Sequence, residues 1–166
     1  MPLERFSAAW REEYVSSSEA KTNSEPNSAC VFCALLASGV SEDSGVLRIS
    51  DHSFVVLNAF PYGSGHVLVL PKRHVGDVLE LEDDEYQDFA NLMRTTLKAV
   101  KQAYNADGHN VGMNLGQAAG AGIPKHLHAH VLPRWNGDTN FMSTIGETRV
   151  LPESLPSTWR KISAQL

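Results

Sequence analysis

The sequence is short of cysteine, of positive charge and of long apolar runs, and each shortage removes a class of protein. Two cysteines in 166 residues cannot build the disulfide framework of a small secreted domain. No run approaches the roughly 20 apolar residues that span a bilayer. The N-terminus has no continuous apolar stretch of about 7–15 residues of the kind that opens an export signal. The expectation is a cytoplasmic protein with reduced thiols and no membrane partner. Lys and Arg number 14 against 19 Asp and Glu, a net charge of −5. Nucleic-acid binders carry a basic footprint, so nucleic acid is not an expected partner. A phosphate ligand would have to be held by local donors against an unfavourable overall field. There is no internal repeat. What remains, 42% hydrophobic and 20% charged residues, is the composition of one folded domain.

Histidine is what the chain has in excess: seven residues, three of them within five positions. The surrounding pattern places them. Residues 3–15 read as a short amphipathic helix, with Leu3, Phe6, Trp10 and Tyr14 at helical spacing. Residues 16–29 are polar and aperiodic, and read as a linker. Cys30–Ala37 suits a turn and short helix, and strands are expected over 46–50, 53–59 and 65–70. The last two are apolar runs separated by turn chemistry at residues 60–65, which favours an antiparallel pair. Residues 82–105 are the best helix, with Tyr86, Phe89, Leu92, Met93, Leu97, Val100 and Tyr104 on one stripe. Acidic residues at its start and lysines near its end suit the helix dipole. Further strands are expected over 109–115 and 126–132, and a last helix around 153–164. Strands, one long helix, then strands again is an α+β pattern: an antiparallel sheet of about five strands packed on one long helix. The boundaries expected are 1–29 for the N-terminal helix and linker, 30–142 for the domain, and 143–166 for the tail.

The segment His126-Leu127-His128-Ala129-His130-Val131-Leu132 carries the chemistry. Strand side chains alternate, so the three histidines share one face, and Leu127, Ala129 and Val131 turn to the core. The plain alternative is three solvent-facing or core-satisfied histidines. A metal site is another. Neighbouring histidines lie about 6.6–6.8 Å apart along a strand and can converge on one ion, but the outer pair, about 13 Å apart, cannot easily join them. A third is a row of imidazoles working on an extended anion, since imidazole can attack phosphorus and imidazolium can donate to phosphate oxygens. Cys30-Val31-Phe32-Cys33 is a lone CxxC, which in a reducing compartment reads as zinc or redox chemistry. The glycine-rich loop 116–122 can present backbone N–H groups to an anion, or be an ordinary tight connection.

The histidine row resembles the His-φ-His-φ-His-φ-φ signature of the histidine triad (HIT) superfamily. Gly65-His66-Val67-Leu68-Val69-Leu70-Pro71 is similar to that family's strand, with Asn58 ahead of it, and the resemblance covers residues 30–142. Leu132-Pro133-Arg134-Trp135-Asn136-Gly137-Asp138-Thr139-Asn140-Phe141-Met142, together with Asn114-Leu115-Gly116, Ala119-Gly120-Ala121-Gly122 and the early Trp10-Arg11-Glu12-Glu13-Tyr14, resembles the bacterial branch of diadenosine tetraphosphate phosphorylases.

The resemblance implies a nucleotide hydrolase or nucleotidyltransferase working on dinucleoside polyphosphates or nucleoside monophosphate esters, either a hydrolase or a phosphorylase. It implies that His128 is the nucleophile and that His130 contacts phosphate and helps protonate the leaving group. Asn58 and His66 would line the nucleotide pocket, Asn114 would reach ribose or phosphate, and Gln117 with the backbone of Gly120 and Gly122 would hold phosphates. Many members place Gln and then Ser or Thr at the positions occupied here by Gly122 and Ile123, so this chain lacks those side-chain donors. A subset of the family carries CxxC and a histidine after the strand. By that likeness Cys30, Cys33, His74 and His126 would hold a structural zinc ion, leaving His128 and His130 for phosphate. Mg²⁺ would accompany the polyphosphate. A homodimer is implied, with Trp135, Phe141 and the tail as interface candidates. His52 and His109 match no motif and are expected on the surface. The competing reading is a non-catalytic nucleotide-binding or structural zinc protein.

Overall fold

Two apolar runs buried on both sides make the centre of the sheet. In the computed structural model the described residues are 30–140 and 153–166; the expected N-terminal helix and linker, and Phe141, lie outside them. Strand β2 (Ser53–Leu57) and strand β3 (Val67–Pro71) are buried at every position. This explains why they read as continuous apolar runs: both faces are covered. They pair antiparallel, from Ser53 opposite Pro71 to Leu57 opposite Val67. Strand β1 (Val46–Ile49) lies outside β2, and strands β4 (Gly108–Met113) and β5 (Ala129–Arg134) complete the order β1-β2-β3-β5-β4, all antiparallel.

Helix α1 (Val31–Ser38) precedes β1, helix α2 (Asp83–Ala103) links β3 to β4, and helix α3 (Leu155–Ser163) ends the chain. The expected α+β architecture, five antiparallel strands with one long helix, is the observed one. Among the described residues, no helix is long and apolar enough to cross a membrane.

The sheet has two differently used faces. On one, Leu47, Val55, Leu57, Val67, Val69, Leu127, Ala129 and Val131 meet α2 through Phe89, Leu92, Ala99 and Val100, and α3 through Ile162. On the other, Val46, Phe54, Val56, Leu68 and Leu70 meet Phe32 of α1. Burying a side chain the size of Phe89 contributes about 1.5–3 kcal/mol, so the first cluster dominates the core. The α2 stripe differs from the expected one in two respects. Tyr86 is half-exposed, while Thr96 and Ala99 are fully buried. Small side chains there let the helix axis approach the sheet, and periodicity of large residues alone misses them.

The tail helix belongs to the same packing. Ile162 is fully buried, and the Trp159 indole N–H donates to the Val46 carbonyl at 3.1 Å. Glu153 accepts from the Tyr104 hydroxyl at 2.9 Å and pairs with Lys161 at 2.9 Å. Trp135 also packs within the chain, edge-on to Tyr104, with its N–H on the Asn105 carbonyl.

The last strand begins later than its pattern suggests. The β5 ladder opens at Ala129, so His126 and His128 precede it. The reason lies in β3, which ends at a residue without an N–H, Pro71. The Leu127 N–H goes instead to the Val75 carbonyl at 2.6 Å. Alternation persists through the unpaired stretch, with Leu127 in the core cluster on the helical face.

Gly65, which leads into β3, has φ +76°, and a Cβ there would sit 2.8 Å from both Pro133 Cγ and Tyr104 Cε2. Gly65→Ala should therefore destabilise the fold by about 2–4 kcal/mol, combining left-handed strain with overpacking. Urea unfolding tests this; an unchanged midpoint would refute the close approach.

Candidate active site and metal-ligand cluster

His126 is fully buried and makes contacts on both of its ring nitrogens. Its Nε2 lies 2.9 Å from the Pro71 carbonyl oxygen. A carbonyl only accepts, so the proton is on Nε2 and Nδ1 is left as a lone pair. That Nδ1 faces Cys30 Sγ at 3.3 Å and Cys33 Sγ at 3.6 Å. His74 Nδ1 completes the group, 3.5 Å from Cys33 Sγ. The four residues offer donor atoms all within 4.8 Å of one another, a grouping that could hold a metal ion. With Zn–S near 2.3 Å and Zn–N near 2.0–2.1 Å, the edge of a zinc tetrahedron from sulfur to nitrogen is about 3.6 Å, which the observed separations fit. The orienting hydrogen bond from the far ring nitrogen to a carbonyl is the usual support of a ligating histidine. Burial and the neighbouring Cys30 raise the Cys33 thiol pKa, a cost that a divalent cation would remove.

Local structure delivers these ligands. The cysteines flank the first turn of α1, with Cys30 at its N-cap. His74 follows β3 beside Arg73, whose guanidinium meets the Glu85 carboxylate of α2 at 2.8 and 2.6 Å. That pairing, with the Glu82 N–H, pulls the Glu85 pKa down to about 2 and ties the His74 segment to the helix start.

The other two triad histidines form a second group. His128 Nδ1 lies 2.8 Å from the His126 carbonyl oxygen, so Nδ1 carries the proton and Nε2 carries the lone pair. The His130 ring stands 5.2 Å from that of His128, nearly perpendicular to it. His130 Nδ1 meets His66 Nε2 at 2.9 Å, and His66 Nδ1 receives the Tyr62 N–H at 3.0 Å. Asn58 Nδ2 approaches the same nitrogen at 3.3 Å. His66 is 1% exposed, so its reach is toward His130. Burial lowers all three triad pKa values, and the added presence of His128 takes His130 down to about 4. At neutral pH the row is uncharged.

The glycine-rich loop is tightly wound. Gly116 and Gly120 both have positive φ, around a 3₁₀ turn at Gln117–Ala119. The Gly120 N–H goes to the Gln117 carbonyl at 2.8 Å, and the Ala121 N–H to that of Gly116 at 3.4 Å. The Gly120 amide is thus bonded inside the loop. Gln117 is exposed, and Asn114 is half-buried with its amide N–H directed at the Gly120 carbonyl, 3.5 Å away. Met113 pairs with Ala129, so Asn114 sits one step beyond, toward His128.

Two aromatic residues in the site were not singled out from sequence. Phe32 packs 5.5 Å from the His126 ring and 5.4 Å from that of His128. Tyr62 stacks on His130 at 5.7 Å and touches His66 at 4.7 Å. Phe32 lies inside the CxxC, and Tyr62 lies in the turn before His66, so proximity to motif residues was the available signal. The two unassigned histidines differ from each other. His52 is a surface partner of Asp84 at 3.6 Å, whereas His109 Nε2 is buried, contrary to the expected surface position.

A buried histidine row on a five-stranded antiparallel sheet defines the class, and the comparisons agree. The family model described as HIT domain matches residues 41–137, more than half the chain, and the protein belongs to that family. It is 32% identical to an AP-4-A phosphorylase of Mycobacterium tuberculosis over an alignment covering 98% of this chain and 84% of the relative. Among solved structures, a Zn-bound histidine triad family protein from Mycobacterium smegmatis superposes with a TM-score of 0.66 at 28% identity, covering 82% of this chain and 92% of that one. A Hit-like protein from Bartonella henselae gives the same TM-score at 25% identity, covering 82% and 95%.

The depressed His130 pKa has a consequence for stability. The folded histidine takes up its proton near pH 4, while an unfolded one does so near 6.5. Its contribution is therefore fully present above pH 6.5 and is lost as pH falls from 6.5 toward 4. Glu85 acts in a lower window, from 4.5 down to about 2. Denaturant unfolding at several pH values should show a shallower decline between 6.5 and 4 for His130→Gln than for the wild type. Parallel profiles would contradict the buried, neutral assignment.

Proposed function

We propose that the protein is a nucleotidyl-transferring enzyme acting on dinucleoside polyphosphates or nucleoside monophosphate esters through a covalent nucleotidyl-histidine, with phosphate or water as acceptor. The observation that carries this is that the Nδ1 atoms of two adjacent imidazoles face opposite kinds of partner, a carbonyl oxygen at His128 and the His66 ring at His130. His128 offers a lone pair at Nε2 because its Nδ1–H is held by the His126 carbonyl. His130 offers an N–H at Nε2 because its Nδ1 accepts from His66. A nucleophile beside a hydrogen-bond donor is what displacement at phosphorus needs.

His128 Nε2 attacks the α-phosphorus and forms a P–N bond. The bridging P–O bond breaks, and the departing oxygen takes the hydrogen bond from His130 Nε2. The adduct is an imidazolium, and its remaining N–H stays on the His126 carbonyl, which disperses the charge. The acceptor then displaces His128, and the lone pair returns to Nε2. On this reading Asn114, Gln117 and Gly122 serve the phosphates, Gly120 shapes their loop through its left-handed backbone while its amide stays bonded to Gln117, and Asn58 and His66 stand behind His130. Mg²⁺ enters with the polyphosphate as part of the substrate.

Cys30, Cys33, His74 and His126 would hold zinc in a closed four-ligand site, where it supplies structure rather than catalysis. The same reading makes the protein a homodimer of the cytoplasm. The edge strand β4, exposed at Asn110, Val111 and Gly112, supports the pairing.

Incubation with diadenosine tetraphosphate, with and without phosphate, followed by mass spectrometry, should detect an adenylylated intermediate on His128. His128→Asn should abolish the adduct and lower kcat by about a thousandfold or more. An adduct surviving in that variant would refute the nucleophile. No turnover and no adduct in the wild type would leave the non-catalytic binding protein as the better reading. Elemental analysis should find a full equivalent of zinc, with Cys33→Ser losing most of it and melting at lower temperature. Well under one equivalent in a preparation never exposed to chelator would refute the zinc assignment.

A further inference from the structure

The turn from β2 to β3 carries two aromatic rings that the fold does not bury. Phe60 is 79% exposed and Tyr62 is half-exposed. Folding gains from taking such rings out of water, so their position outside the core points to another use. The turn itself is firmly held. The Phe60 N–H donates to Asn58 Oδ1 at 3.0 Å, Pro61 fixes its own φ, and the Tyr62 N–H donates to His66 Nδ1 at 3.0 Å. Asn58 Nδ2 lies 3.3 Å from His66 Nδ1 and 3.5 Å from His66 Nε2, so one amide ties the start of the turn to its end. Gly63 lies over β5, where a Cβ would stand 3.5 Å from Leu132 Cδ1. The Tyr62 ring is stacked on His130, with 20° between the planes and 5.7 Å between centroids. Side chains alternate on β5, so Leu132 follows His130 on the site face. Opposite these two residues β4 places Gly112 and Asn110, a small residue and an exposed one, which leaves room beside the rings.

We propose that Phe60 and Tyr62 form a stacking platform for the base of the departing nucleotide, so that the site selects polyphosphates capped by a nucleoside at both ends. The inference rests on the nucleotidyl transfer to His128 proposed above, in which the departing oxygen takes its hydrogen bond from His130. The leaving group therefore starts at His130, and the ring stacked on His130 is that of Tyr62. Phe60 stands two residues earlier in the same turn. A purine presents a flat π face, and aromatic side chains hold bases by that face without reading their edges. Such a contact needs no cation. A chain of net charge −5 gains from holding an anionic leaving group by its uncharged end. The hydrogen bonds and the proline place the rings before any ligand arrives, so little ordering entropy opposes the stack. Binding energy from the remote base then assists displacement at the α-phosphorus, and a leaving group that ends in bare phosphate lacks it. The displacement itself is unaltered: the P–N bond to His128 forms, the bridging P–O bond breaks, and the platform touches only the departing nucleoside.

The test compares diadenosine tetraphosphate with adenosine(5′)tetraphospho(5′)ribose, which has the same adenylyl group, phosphate chain and terminal sugar but no second base. The wild type should favour the diadenosine compound in kcat/KM by about tenfold to a hundredfold, the scale of one base stacked on aromatic side chains. Phe60→Ala and Tyr62→Leu should each shrink that ratio about threefold or more, and Tyr62→Phe should keep it because the ring remains. A general loss of activity lowers both substrates together and does not move the ratio. Phe60→Ala deletes a solvent-exposed ring, so it should fold and should turn over the ribose compound as the wild type does. A wild-type ratio no larger than the statistical gain from two equivalent ends would overturn the proposal, as would a ratio that both variants leave unmoved. A Phe60→Ala protein with an intact ratio but a changed oligomeric state would put that ring at a subunit interface and overturn it too. If the wild type turns over neither compound and forms no adduct on His128, the enzymatic reading fails. Equilibrium binding of the same two compounds then decides the platform: tighter binding of diadenosine tetraphosphate that Phe60→Ala abolishes supports it, and equal binding overturns it.

Discussion

The hydrogen bond from His126 Nε2 to the Pro71 carbonyl is the contact on which the two halves of the site depend. It fixes the imidazole so that Nδ1 faces the two cysteines. It also holds the backbone of residue 126, whose carbonyl accepts the Nδ1–H of His128. One buried residue thereby orients a ligand set through its side chain and a nucleophile through its main chain. The end of β3 makes this possible. A strand that stops at proline leaves a carbonyl without a ladder partner from β5, and a side chain takes the place of the next rung.

The two-sided sheet separates stability from chemistry. The helical face carries the larger apolar cluster, closed by α2 and α3. The opposite face is apolar under α1 and becomes polar toward β5, where His130 lies across from Leu68 and Gly112. Gly112 adds no side chain over His130, so the face stays open beside that ring. Histidines buried on this face are kept neutral by desolvation, and the backbone carbonyls and N–H groups around them decide which nitrogen carries each proton. Electrostatic control here comes from uncharged groups, which suits a chain whose net charge is −5 and whose proposed substrate is an anion.

Much of this was legible in the residues. The fully apolar runs at 53–57 and 67–71 announced central strands, and the long amphipathic stripe announced α2. The spacing of His126, His128 and His130 announced one shared face, which survives although the ladder begins only at Ala129. The Cys30, Cys33, His74 and His126 grouping followed from family likeness and is brought together in space. Other features were not legible. Thr96 and Ala99 are buried because the helix lies close to the sheet, a distance that no periodicity encodes. The tautomers of His66, His128 and His130 depend on which backbone atoms face each ring, and these come from Tyr62 and His126 main-chain positions. The Gly120 amide, a candidate anion donor from composition, is turned inward by the 3₁₀ turn of its own loop.

Phe32 gives the site one more property. Its ring is a shared wall between His126 and His128, touching both at about the same distance. Two groups that share a packing partner do not respond independently when either is altered. Substitutions at the cysteine cluster and at the nucleophile should therefore combine non-additively in free energy. A side chain at position 32 therefore has two environments to satisfy at once, although Phe32 itself has no polar chemistry.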